Sequence, residues 1–333
     1  MSRTPLDGVS LVLADLDGVI YKGPAAIPYA VESMNAIAAP TRVAYITNNA
    51  SRTDASVAQH LTELGLHAAA EDIVTSPQAA MTLLKELVAP GSSILVVGGD
   101  GLVDEVTKAG FTVTRSALDN PAAVVQGFSP EVGWVHLAEA AFALNGDGTA
   151  GDLPWVATNT DWTIPQARGT APGNGTLVSA VHTAVGRLPV VAGKPEVAIF
   201  EEAMTRFGTR DALMIGDRLD TDILGANRAG IPSVLVLTGI DRAKQVIAAV
   251  PQERPTYILD DLRQLHEPYP ETVVTEAPGV TRTTVGSATV RREGGAITIE
   301  SGSGVDLLRA GAAAIWNSGA AIYALDVPAE LYS

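Results

Sequence analysis

Two carboxylates two residues apart, Asp15 and Asp17, close the apolar run Leu11-Val12-Leu13-Ala14 and are followed by Gly18. Acidic groups this close are costly unless a cation holds them or one keeps its proton. Three further groups could share their work. Thr47-Asn48-Asn49 brings a hydroxyl and two amides, Gly193-Lys194-Pro195 a stiffly placed ammonium, and Gly216-Asp217-Arg218-Leu219-Asp220-Thr221-Asp222 more carboxylates. Carboxylates beside a hydroxyl, an amide and a lysine are suited to holding a hard cation and a phosphate together. Mg²⁺ takes one or two carboxylates plus phosphate oxygens and water. The same residue types are also common in solvated turns and caps, and each motif alone leaves that reading open.

Regular elements must position these groups. A strand buried on both faces of a parallel sheet reads as a continuous apolar run. Residues 11–14 read so, 42–46, 190–192 and 212–215 read as further strands, and each chemical group follows one of the four. Open α/β sheets bind ligands at that carboxyl end. The pattern predicts helices over 28–39, from a Ser51 cap to about Leu64, and over 76–88, 101–110 and 136–144, the last ended near Asn145-Gly146-Asp147-Gly148. Others follow over 177–185, from Pro195 onward, and over 222–229 and 241–250. Strands are expected over 93–97, 122–126, 155–158, 232–237 and 255–259. Such alternation predicts an α/β fold, a Rossmann-like doubly wound parallel sheet. Gly98-Gly99-Asp100-Gly101 lacks the G-x-G-x-x-G spacing of a dinucleotide site. The stretch 159–175 reads as a loop rich in polar groups and glycines, either an ordinary surface loop or a binding one.

Composition narrows the partners. The 333 residues are 47% hydrophobic, enough for a sizeable core, and carry a net charge of −15. That charge repels polyanions, so nucleic acid and anionic membranes are not expected as partners. An anionic substrate would need positive charge supplied locally. With no cysteine, disulfides, thiolate metal sites and cysteine nucleophiles are excluded. The N-terminus lacks a signal-peptide pattern, and no apolar run approaches the ~18 residues of a membrane span. A cytoplasmic protein is expected.

Taken together and in order, the four motifs resemble those of the haloacid-dehalogenase-like superfamily, over about residues 8–266. Their variants are similar to subclass IIA, which holds p-nitrophenyl-phosphatase-like, phosphoglycolate-phosphatase-like and glycerol-3-phosphate-phosphatase-like enzymes. The resemblance implies a Mg²⁺-dependent phosphatase. Asp15 would be the nucleophile and Asp17 the general acid and base. Thr47, Asn48, Asn49 and Lys194 would bind phosphate. Mg²⁺ would be held by Asp15, the Asp17 carbonyl and Asp217, with Asp222 in support. An Asp at position 17 favours phosphoester cleavage over dehalogenation, and phosphomutases and phosphotransferases share it. The substrate expected first is glycerol 3-phosphate, with phosphoglycolate or a broad range including p-nitrophenyl phosphate behind.

Motif spacing implies the domains. A short stretch separates Asp17 from Thr47 and a long one separates Thr47 from Lys194. The resemblance therefore implies a core of 1–78 and 187–267 with an α/β cap inserted over 79–186. It also makes Asn159, Asp161 and Arg168 candidate substrate contacts. A large cap excludes bulk water and favours small soluble phosphoesters. Past Glu267-Pro268-Tyr269-Pro270 the texture turns antiparallel, with strands expected over 272–275, 281–290, 296–300 and 320–325 and a helix over 305–315. This appendage, 271–333, resembles part of a GNAT fold carried by actinobacterial members. It is too short for a full acetyl-CoA site and reads as a packing or assembly module, with a CoA- or partner-binding role as the alternative. A homo-oligomer through cap or tail is compatible with this layout.

Overall fold

The computed structural model describes residues 3–145, 153–166 and 168–332. The fold is α/β, in two compact units: Met1–Val43 with Thr209–Ser333, and Ala44–Gly208. No helix among the described residues is long and apolar enough to cross a membrane.

In the first unit four parallel strands run in the order Tyr257–Leu259, Ser233–Val236, Ala212–Gly216, Leu11–Ala14. Leu11 pairs with Ala212 and Ala14 with Ile215, and all eight side chains in this register are buried. Full burial explains why these segments show no alternation. The helix expected over 28–39 is only Ala30–Asn35. Ala39 precedes Pro40, whose ring disfavours helical geometry in its neighbour, and the chain turns before reaching it. Likewise 241–250 contracts to Ala243–Ala248, ahead of Pro251. The 222–229 helix is Leu224–Ala229, entered through a π-helical turn, Leu219–Ile223.

The tail lies in the same unit. It is an antiparallel sheet, Thr272–Ala277, Val280–Val285, Ala288–Glu293 and Ala296–Ser301 in sequence order, with the helix Gly304–Trp316. The single strand expected over 281–290 is two, split by a turn at Gly286-Ser287. The strand expected over 320–325 is a 3-10 turn, Ile322–Ala324. Pairing there stops at two hydrogen bonds, Ile297 N–H to Asp326 O and Asp326 N–H to Gly295 O, at 2.9 and 2.8 Å. Pro328, with no N–H, cannot extend it. Among the described residues the tail's buried side chains join a core shared with the parallel sheet's elements. Val285, Val290, Ile297, Leu307, Leu308 and Ile315 pack into one cluster with Leu219, Ile223, Leu235, Val246 and Ile258. Buried Arg309 donates to the Ile258 carbonyl at 2.8 Å, and Trp316 Nε1 donates to the Val246 carbonyl at 3.2 Å.

In the second unit five parallel strands run in the order Val190–Val191, Trp155–Ala157, Ala123–Gln126, Ser93–Val97, Thr112–Thr114. A separate parallel pairing joins Tyr45–Thr47 to Ile73–Thr75. Six helices are described here: Asp54–Glu63, Ser76–Leu87, Asp100–Lys108, Trp134–Asn145, Asn174–Val185 and Val197–Phe207. The first starts at Thr53, which accepts from Ser56 N–H at 3.2 Å, and not at Ser51. Asn49 Oδ1 takes both Ser51 N–H and Ser51 Oγ, at 2.9 and 2.8 Å, which commits Ser51 to the preceding turn. Pro195 does not open its helix. It lies in a turn closed by Glu196 N–H to Gly193 O at 3.0 Å, and the helix begins at Val197. The 159–175 loop holds an antiparallel hairpin, Thr163–Gln166 with Gly169–Pro172. Gly146, Asp147 and Gly148 lie outside the described residues.

Candidate functional site

The first unit gathers carboxylates. Asp15 is the first residue past its strand, and its N–H to Ile215 O at 2.8 Å extends the ladder by one rung. The chain then folds back on the Leu16 carbonyl, which takes Ile20 N–H at 2.9 Å and Tyr21 N–H at 3.1 Å. This turn needs Gly18, whose φ is +85°, and a Cβ there would strike the Asp217 carboxylate. Asp17 stands exposed in the turn.

Asp217 follows the Ala212–Gly216 strand, and its Oδ2 accepts Ile240 N–H at 2.7 Å. The π-helical turn swings Asp222 back, so that its Oδ2 accepts the N–H groups of Asp217 and Arg218, both at 3.2 Å. The outcome is a cluster: Asp15, Asp217 and Asp222 are 9%, 1% and 0% exposed, with one oxygen from each within 4.8 Å of the others. Three buried carboxylates at such separations repel strongly when ionised. An all-oxygen, all-anionic donor set suits a hard divalent cation, and the residues present fit Mg²⁺ or Ca²⁺. Nearby Asp241 accepts Leu219 N–H at 2.6 Å. Burial nevertheless holds its carboxyl above the ordinary range, opposed by that hydrogen bond.

The second unit gathers amides and a lysine. Thr47 ends its strand buried, and its Oγ1 accepts Asn49 N–H at 3.1 Å. Asn48 Oδ1 accepts Lys194 N–H at 2.8 Å, while its Nδ2 donates to Lys194 O at 3.0 Å and to Asp161 Oδ1 at 3.2 Å. Asn159 Nδ2 donates to Asn48 O at 2.7 Å. Lys194 is 4% exposed, an ammonium held out of bulk water. Arg168 and Trp162 are exposed on and beside the hairpin. Thus Asp15, Asp217 and Asp222 come together, as do Asn48, Asn159, Asp161 and Lys194.

Known proteins resemble this chain in sequence and in fold. Residues 12–112 match a family model described as haloacid dehalogenase-like hydrolase, and residues 191–265 match a second, HAD-hydrolase-like model. The chain is 46% identical over 312 residues to the D-glycerol 3-phosphate phosphatase of Mycobacterium tuberculosis, covering 93% of this chain and 86% of that one. The chain belongs to the haloacid dehalogenase-like hydrolases. A crystal structure of the M. tuberculosis glycerol phosphate phosphatase in complex with magnesium superposes with a TM-score of 0.84 at 42% identity, covering 95% of this hydrolase and 93% of that chain. The p-nitrophenyl phosphatase from Archaeoglobus fulgidus gives a TM-score of 0.70 at 25% identity, covering 77% and 98%.

Three parts of this hydrolase's polar clusters escape motif reading. Ser76 Oγ donates to Asn48 O at 2.8 Å, Asn174 Nδ2 donates to Asn159 O at 2.7 Å, and Ile240 supplies a backbone N–H to Asp217. A backbone donor leaves no trace in residue type. Asn174, between two glycines before an apolar helix, looks like an ordinary helix start. Only tertiary structure gives its side chain a distant partner.

Proposed function

We propose that the chain is a Mg²⁺-dependent phosphatase of small phosphoesters, glycerol 3-phosphate first among them, working through an aspartyl-phosphate on Asp15. The buried Asp15, Asp217, Asp222 cluster carries this reading, because those carboxylates need a hard cation. Identity of 46% to a glycerol 3-phosphate phosphatase supports the substrate, and the magnesium of the related crystal structure supports the ion.

The Asp15 carboxylate attacks phosphorus in line. A bond forms between its oxygen and phosphorus as the bond to the substrate alkoxide breaks. Asp17 enters protonated and gives its proton to that alkoxide. It then takes a proton from water, whose oxygen attacks the same phosphorus, freeing the Asp15 carboxylate and releasing inorganic phosphate. Thr47, Asn48 through its main chain, Asn49 and Lys194 bind the phosphoryl oxygens, where positive charge and N–H donors count most as the bond order shifts. Asp15, Asp217 and the Asp17 carbonyl hold Mg²⁺, with Asp222 orienting them. The ion supplies positive charge that offsets the phosphoryl group's negative charge. Of the three expected substrate contacts, Asp161 and Arg168 are assigned to the alcohol side of the substrate, while Asn159, 3% exposed with its amide donating to Asn48 O, is assigned to holding the site.

In this reading 1–78 with 187–267 is the catalytic core, 79–186 an inserted cap and 271–333 an appendage. Self-association through the cap belongs to the same proposal, supported by exposed Trp134, Val135 and Phe142 along one helix.

The test is phosphate release from glycerol 3-phosphate, phosphoglycolate, p-nitrophenyl phosphate and sugar phosphates, with Mg²⁺ or with EDTA. The highest kcat/KM is expected for glycerol 3-phosphate, and only with Mg²⁺. Folded protein that releases nothing from any ester overturns the reading. Phosphate appearing only on an added sugar acceptor would make it a phosphotransferase.

A further inference from the structure

Asn48 is the centre of a buried hydrogen-bond chain in the Ala44–Gly208 unit. Its side-chain amide bonds both the N–H and the carbonyl of Lys194, at 2.8 and 3.0 Å, much as a neighbouring strand would. The approach is close: a Cβ on Gly193 would lie 2.5 Å from Asn48 Oδ1 and 2.6 Å from Thr158 O. Asn48 is itself held from behind. Its carbonyl accepts Ser76 Oγ at 2.8 Å and Asn159 Nδ2 at 2.7 Å.

Asn159 is fixed at three points. Its Nδ2 reaches Asn48, its Oδ1 accepts Asp161 N–H at 3.1 Å, and its carbonyl accepts Asn174 Nδ2 at 2.7 Å. Asn174 opens the helix Asn174–Val185 but does not cap it; its Nδ2 also lies 3.4 Å from Gln126 O. Its Oδ1 is buried and forms no hydrogen bond among the described residues, so the donor is its contribution. Three amides therefore stand in series, Asn174 to Asn159 to Asn48, ending on the Lys194 backbone. All four residues are buried, so removing a donor leaves a buried acceptor that is costly to strand.

A lysine carries its charge on a flexible four-carbon stem, so its aim depends on how firmly its backbone is held. We propose that Asn174 and Asn159 are positioning residues. They hold the Asn48 turn and, through its grip on the Lys194 backbone, set where the ammonium delivers charge to the phosphoryl group. This rests on the assignment of Lys194 as a phosphoryl-binding group.

A double-mutant cycle tests it, with Asn174→Ala, Lys194→Ala and the pair. Two readouts apply: kcat/KM for the best ester, and orthovanadate affinity by calorimetry with Mg²⁺, which needs no turnover. Misplacing a charge by a fraction of an ångström is expected to lower both about tenfold or more in Asn174→Ala. Asn174→Asp, which keeps the size but loses the donor, is expected to do no better. In the Lys194→Ala background the Asn174→Ala change should add less than about twofold, since residues acting through one another are not additive. If Asn174→Ala does not fold, Asn159→Asp serves in its place: it keeps the acceptor for Asp161 N–H and loses the donor to Asn48. Full additivity, or an Asn174→Ala enzyme within about twofold of wild type on both readouts, would overturn the relay. Wild-type affinity and turnover in Lys194→Ala would instead sink the phosphoryl role of Lys194, a separate failure.

Discussion

Asp217 is held and crowded from three sides. Its Oδ2 takes Ile240 N–H, its carbonyl takes Asp241 N–H at 3.1 Å, and Gly18 packs against its carboxylate. Gly18→Ala forces a left-handed residue and a steric collision at once. It is expected to cost on the order of 1–3 kcal/mol in stability and to weaken Mg²⁺ binding, read by melting and by ion titration. A sharper test is Asp222→Asn, which keeps an acceptor for the Asp217 and Arg218 N–H groups while deleting one of three crowded charges. In EDTA this variant should melt above wild type, because the repulsion is relieved. In Mg²⁺ the gap should close or reverse, because a negative charge beside the ion is gone. A variant that melts below wild type in EDTA would mean that the carboxylates are not mutually strained.

Elements fix how these residues meet, and here the sequence was legible unevenly. Strands ending at Ala14, Thr47 and Gly216 announce themselves because burial on both faces leaves an apolar run with the polar group just beyond. The carboxylate and amide motifs follow directly, whereas Lys194 comes after Val190–Val191, a two-residue strand whose Val190 is half exposed. Three-residue strands such as Ile73–Thr75 are too short to show a period, and Pro165 inside Thr163–Gln166 disguises a hairpin strand. Choosing between Ser51 and Thr53 as a cap requires knowing that Asn49 has already claimed Ser51. Thr53→Ala should therefore cost about 1 kcal/mol and Ser51→Ala clearly less, by chemical denaturation. The grip of Asn48 on Lys194 joins residues 146 apart, beyond any local pattern.

The helix Asp100–Lys108 offers a pH test. Burial raises the Glu105 carboxyl above its ordinary value, opposed by Lys108 Nζ at 3.3 Å. A carboxyl raised on folding contributes stability that is fully present below its unfolded pKa and lost as pH rises through the folded one. Glu105→Gln should thus be the more stable protein at neutral pH, with its advantage shrinking as pH falls toward the ordinary glutamate value. Melting curves of both proteins between pH 4 and 8 check this; a gap that widens on acidification contradicts it.

At the scale of the molecule, the tail is part of the fold that holds Asp217 and Asp222. Leu219 and Ile223, on the turn that delivers Asp222, share a cluster with Leu307, Leu308 and Ile315. Ending the chain at Pro270 would bare that cluster. Each large side chain stripped of its burial forfeits roughly 1.5–3 kcal/mol, and several together rival the whole stability of a typical domain. The truncated chain is expected to lose cooperative melting; an unchanged transition would mean the tail is dispensable. The most direct measurement of the proposed chemistry is the rate of phosphate release from glycerol 3-phosphate by wild type and Asp15→Asn, each with saturating Mg²⁺ and with EDTA. Release by wild type in Mg²⁺ alone, with none from Asp15→Asn under either condition, is the predicted result. Release by a folded Asp15→Asn at the wild-type rate would contradict it.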